Sequence, residues 1–194
     1  MSHVMTRADA ARLGASAAPT DLRSRIGWIC QAIRIAAVVW IAWVVVIVVM
    51  VWSDRTTMLE NYGRFLGVDV GGVSTGRYAL AFALGLFDCA VAAGVPFCLW
   101  RLSGTYLAGR VFTVDAALWL RRTGLAAMAA VATDMVLRLV ISALFTGHVV
   151  LVTTRGLFIN PQDLLHLILA LFLLSLAYIF KAAAELADDH AQIV

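Results

Sequence analysis

Hydrophobic residues in this chain gather into four long runs separated by polar stretches. The runs are Ile29–Trp52, Tyr78–Leu99, Gly124–Phe145 and Leu164–Phe180, the last able to continue to Ala184. Each is near the roughly 17–25 residues that an α-helix needs to cross about 30 Å of hydrocarbon. The first is dense in Val and Ile, yet a lone strand would leave its backbone groups unpaired in lipid, so a helix is expected there too. Trp28 and Trp52 bracket that run as interfacial anchors do. The pattern predicts an all-α integral membrane bundle of four transmembrane helices.

The polar stretches carry their own signals. Residues 1–28 read as a polar N-terminal segment without a cleavable signal, because the first apolar run is too long for a signal core. Ser53–Arg77 is polar and Gly-rich and reads as a flexible outer loop. Its Gly67–Gly76 segment lacks the spacing of a phosphate-binding loop. In Trp100–Thr123, Thr113 can cap a helix beginning at Val114, with Asp115 in the first turn. Leu118 and Trp119 would lie on the bilayer surface and Arg121 and Arg122 at the headgroups, which predicts an interfacial helix before the third span. Asn160, Pro161 and Asp163 form a strong helix start, so the fourth span should begin near Pro161. Residues 29–184 form the transmembrane domain on this reading, and 185–194 an acidic tail.

Composition agrees. Hydrophobic residues make up 62% and charged residues 14% of 194, where soluble domains run nearer 45–50% and 25%. The net charge of +3 is too small and dispersed for nucleic acid. Its distribution matters more. Arg7, Arg12, Arg23, Arg25, Arg34, Arg101, Arg110, Arg121, Arg122 and Lys181 fall on one side of the expected membrane; Arg55, Arg64, Arg77 and Arg155 fall on the other. The excess predicts cytoplasmic termini and a cytoplasmic middle loop. Cys30, Cys89 and Cys98 form no CxxC pair and read as small apolar residues.

The stretch Tyr106-Leu107-Ala108-Gly109-Arg110-Val111-Phe112-Thr113, followed by Leu120-Arg121-Arg122-Thr123-Gly124, resembles the middle loop of the bacterial membrane family known as domain of unknown function 2975. The tail from Phe180 through Glu185-Leu186 to Ile193-Val194 is similar to that family's C-terminal end, with Ala182–Ala184 where the family usually has a Gly shortly before Glu-Leu. The resemblance implies a small four-helix protein of a bacterial inner membrane without an assigned activity. Members are often encoded beside small helix-turn-helix regulators, which by analogy implies a regulatory partnership.

Three ionisable residues lie well inside the apolar runs: Asp88, Asp134 and Arg138. Such residues are expensive in hydrocarbon and usually face protein or water. Asp134 and Arg138 share a helix face, and Arg138 has the reach to meet Asp88 as well. The expected cluster is either a lock between the second and third spans or a proton or ion relay. Pro96 cannot bond back to Ala92, which frees that carbonyl. Ala79/Ala83, Ala90/Gly94 and Ala126/Ala130 are small pairs at helix-contact spacing. His148 and His166 are the candidate ligands if a haem or quinone is bound, although no cofactor or metal is expected.

No nucleophile–base set or HExxH motif is present. The leading expectation is a non-enzymatic regulatory or partner protein that presents Arg101, Arg110, Arg121, Arg122 and the acidic Glu185, Asp188 and Asp189 to a cytoplasmic protein. The rivals are a proton-linked transporter of a small solute using Asp88, Asp134 and Arg138, and a haem- or quinone-linked redox subunit. The lipid bilayer is the one certain partner, and a homo-oligomer stays open.

Overall fold

The computed structural model describes the backbone of residues 7–110, 113–149, 152–153, 156–157 and 160–192, and side chains over 27–110, 113–149 and 160–186. The elements are α1 (Arg7–Ser53), α2 (Arg55–Leu66), α3 (Thr75–Leu107), α4 (Val114–Thr146), β1 (Val152–Thr153), β2 (Gly156–Leu157) and α5 (Pro161–Gln192). The two short strands pair antiparallel, Val152 with Leu157 and Thr153 with Gly156. Among the described residues, four helices are long and apolar enough to cross a membrane, within Gly27–Ser53, Thr75–Leu107, Val114–Thr146 and Pro161–Leu186. This is an all-α, multi-pass membrane protein. Four crossings put the start of α1, the end of α5 and the α3–α4 turn on one side, and α2 with the β1–β2 pair on the other.

The outward faces show why lipid must be the solvent. Trp43 and Met50 of α1 are 64% and 69% exposed, and Phe172 and Ile179 of α5 are 58% and 63% exposed. Exposed apolar surface on this scale on one face of each helix would be intolerable in water. The helices pack in a row, α1 on α3, α3 on α4 and α4 on α5. Two apolar cores hold the row, one at each end. On the α2 side Met58, Leu59, Val70, Val73, Ala81 and Phe145 cluster. On the terminal side Leu102, Ala116, Leu120 and Ala177 do so.

The helix ends follow the local chemistry. Thr113 caps α4, its hydroxyl accepting from the Ala116 N–H. Gly109 ends α3 at φ +79°. The Gly109 N–H donates to the Tyr106 carbonyl and the Arg110 N–H to that of Thr105, a Schellman stop that needs a left-handed residue. Gly109 therefore ends α3 and Thr113 starts α4.

Two expectations change here. Ser53–Arg77 is no flexible loop. Asp54 caps α2 by accepting from the N–H groups of Thr56 and Thr57. Met58, Leu59, Tyr62 and Leu66 recur at helical spacing, and all but the half-buried Tyr62 are buried. The return strand of chain is pinned by Val70 and Val73 in the core, and by Arg55, which donates to Thr75 Oγ1 at 3.1 Å. Arg55 also donates to the Val73 carbonyl. The polar, Gly-rich composition hides this short amphipathic helix. The turns expected as an interfacial helix before the third span are continuous with α4, because nothing between Val114 and Gly124 breaks a helix.

Candidate functional site

The charges inside the spans meet around Arg138, midway between core and surface on the α2 side. Its guanidinium donates through Nη2 to Asp134, one turn earlier on α4, and to Asp163 Oδ1 in the first turn of α5 at 2.7 Å. Asp163 is bonded on its other oxygen as well: Oδ2 accepts from the Asn160 N–H at 2.9 Å. The Asp163 N–H returns to the Asn160 carbonyl at 3.0 Å. One carboxylate thus makes the return half of a capping box at the start of α5 and ties that helix to α4. Its side chain is 9% exposed, against 43% for Asp134, so the Asp163 contact is the more strongly desolvated of the two.

Asp88 takes a different place from the one expected. It lies within Coulombic reach of Asp134 and Arg138, yet no hydrogen bond or ion pair joins it to Arg138 among the described residues. Its Oδ1 is buried and without a hydrogen-bond partner there. Asp163 is the second carboxylate on the guanidinium. The sequence marked Asp163 as a helix-start acid, but the lateral packing of α5 on α4 decides that it faces Arg138.

Arg138 also borders a cavity of about 790 Å³ beneath α2, shared with Trp52, Met58, Asn61 and Tyr62. Tyr62 sits edge-on to Phe145, with ring centroids 5.1 Å apart. Burial pushes its phenol up to about 12; the positive charge of Arg138 opposes this shift and the negative charge of Asp134 adds to it. At the mouth of the same cavity, hydrogen bonds from Thr57 hold the Asp54 carboxyl below the usual carboxylate range.

On the terminal side the basic residues divide. The guanidiniums of Arg101 and Arg122 stack on the Trp119 ring at 5.1 and 4.6 Å, and Arg34 stacks on Trp100 at 4.3 Å. These cation–π contacts hold the belt where an amphipathic ring is most at home. All four of Arg101, Arg110, Arg121 and Arg122 are exposed. In the tail, Lys181 pairs with Glu185 at 3.5 Å. The side chains of Arg7, Arg12, Arg23, Arg25, Arg155, Asp188 and Asp189 lie outside the described residues, as do those of Phe112, Ile193 and Val194.

The remaining candidates separate. Gly94 meets Ala126, its added Cβ lying 4.0 Å from the Ala126 Cβ, so one member of each of two small pairs forms an α3–α4 contact. Ala79 and Ala83 are exposed, while Ala81 between them is fully buried, so that pair faces outward. His166 borders a cleft between the helices. His148 follows the end of α4, its N–H donating to Thr146 Oγ1 at 3.4 Å. No group of three or more metal-ligating side chains occurs among the described residues, and the three cysteines are free thiols.

No family model, curated protein or solved structure matches this chain.

Proposed function

We propose that this chain is a non-enzymatic regulatory or partner protein of a bacterial inner membrane, with both termini and the α3–α4 corner in the cytoplasm. The carrying observation is that α1 does not stop at the membrane. It begins at Arg7, while its apolar run begins only at Ile29. That leaves about 30 Å of helix at 1.5 Å per residue on the same side as Arg101, Arg110, Arg121 and Arg122. The Arg excess on that side supports the orientation. The likeness of the α3–α4 corner to the domain of unknown function 2975 family supports the same reading by analogy.

The test is purification of the full chain in mild detergent beside a variant lacking residues 7–26. A cytoplasmic protein retained by the first and lost by the second, at equal helix content, is the expected result. Failure of the full chain to retain any cytoplasmic protein, in cells expressing it from its own promoter, overturns the proposal.

A second reading, proton-linked transport of a small solute, is favoured by one observation. Asp88 carries a buried oxygen without a hydrogen-bond partner among the described residues, and an ionisable group inside a span is costly unless it serves a pathway or finds a partner. Asp88→Asn should then abolish pH-driven uptake into vesicles while leaving the bundle folded; unaltered uptake removes Asp88 from any such role.

A further inference from the structure

Three guanidiniums on the terminal side are held by rings rather than by acids. Arg34 of α1 lies over the Trp100 ring of α3 at 4.3 Å, and Arg101 of α3 and Arg122 of α4 share the Trp119 ring at 5.1 and 4.6 Å. No carboxylate pairs with any of the three among the described residues. Asp115, one turn before Trp119, bonds to neither arginine on that ring, and Glu185 is paired with Lys181. The Arg34 Nε is buried and has no acceptor there.

A ring attracts a cation without neutralising it. Two like charges over one indole also repel each other, and a single anion shared between them relieves that repulsion. Arg101 and Arg122 are exposed, so such an anion can reach them from outside the protein. The guanidinium fork matches a phosphate better than a point charge does.

Depth decides where the anion comes from. Helices α3 and α4 have 33 residues each. At 1.5 Å per residue each is about 50 Å long, against about 30 Å of hydrocarbon. Both therefore project from the hydrocarbon by about 10 Å at each end if centred. Trp100 is seven residues before the end of α3 and Trp119 five after the start of α4, so both rings lie about 10 Å or less from the helix ends. That is the level of the headgroups, where phospholipid phosphates are concentrated and tryptophan is at home. A zwitterionic headgroup brings its own cation and leaves the three arginines uncompensated; an anionic one does not.

We propose that Arg34, Arg101 and Arg122, set by Trp100 and Trp119, bind the phosphodiester headgroup of an anionic phospholipid. Basic pockets between membrane helices recognise lipid headgroups in this way. The site is independent of the cytoplasmic partner proposed above, because Arg110 and Arg121 stack on no ring among the described residues and are left to that partner.

The experiment is native mass spectrometry of the full chain, stripped of lipid in mild detergent and titrated with dioleoyl phosphatidylglycerol or dioleoyl phosphatidylcholine. The first phosphatidylglycerol should bind saturably and about tenfold or more tighter than phosphatidylcholine. Arg101→Gln with Arg122→Gln should remove most of that preference. Arg110→Gln with Arg121→Gln removes the same charge from the same side and should leave it intact. Arg34→Gln does not touch the Trp119 stack and should lose part of the preference, which keeps the test open if the Arg101/Arg122 variant fails to fold by circular dichroism. Excess inorganic phosphate should not displace the lipid. Equal binding of the two lipids overturns the proposal. So does an unchanged preference in the folded Arg101/Arg122 variant or in Arg34→Gln. An equal loss in the Arg110/Arg121 variant also overturns it, since the preference is then general surface charge. Displacement by phosphate overturns it too and makes the site one for the free anion.

Discussion

Arg138 holds Asp134 within its own helix and Asp163 across to α5, and it is 23% exposed at its side chain. Removing one partner of a buried pair leaves an uncompensated charge, at about 3–5 kcal/mol. Arg138→Ala should therefore lower thermal stability in detergent, by less than that amount because Asp134 is 43% exposed. Replacing Arg138 and Asp134 with Ala and Asp163 with Ser should cost much less, since Ser keeps an acceptor for the α5 cap. Equal stability of Arg138→Ala and the parent would show that the guanidinium does not lock α4 to α5. Tyr62 gives a second check at this scale. Its phenol is raised from 10.0 to about 12 in the fold. The stabilisation is complete below pH about 10 and is lost as pH rises toward about 12, about 2–3 kcal/mol in all. Ultraviolet titration of the tyrosinate band, compared with Tyr62→Phe, should show one phenol ionising last; its absence would place Tyr62 in solvent.

At the scale of the elements, two glycines decide how closely helices approach. A Cβ added at Gly124 would lie 2.8 Å from Leu174 Cγ and 3.2 Å from the Leu174 backbone nitrogen. Alanine there must push α5 away from α4, at about 1–3 kcal/mol. A Cβ at Gly94 would meet Ala126 at 4.0 Å, an ordinary contact. There the helix propensity of alanine, worth up to about 1 kcal/mol over glycine, has nothing to oppose it. Gly124→Ala should therefore lower the unfolding temperature and Gly94→Ala leave it equal or higher. A reversal of that order would mean that α4 and α5 are not in close contact at Leu174. The starts of α4 and α5 were legible because Thr113, Asn160 and Pro161 act within one turn of themselves. The amphipathic α2 was not, because Met58 and Leu59 have meaning only once Ala81 and Phe145 form a surface for them.

At the scale of the molecule, the orientation rests on the Arg and Lys excess around the termini and the α3–α4 corner. A reporter fused after Val194 should read as cytoplasmic, and one inserted between Gly147 and Asn160 as external. The opposite pattern refutes the orientation. Arg121 and Arg122 are both exposed, and Arg122 is stacked on Trp119. Arg121→Glu should thus weaken orientation or partner binding with little loss of stability, whereas Arg122→Glu should also loosen the α3–α4 corner, read as a lower unfolding temperature.

The number of crossings, their helical state and the shared side of the two termini were determined by the sequence, because long apolar runs have one stable form in lipid. Helix starts and stops belong to the same class: a cap is a local hydrogen bond. Which charges meet was decided by tertiary structure alone. Asp88 and Asp163 are equally acidic in the sequence, but depth along a helix says nothing about which neighbour lies alongside. The lateral packing of α5 on α4 puts Asp163 on Arg138, and the open row of helices leaves the cleft beside His166.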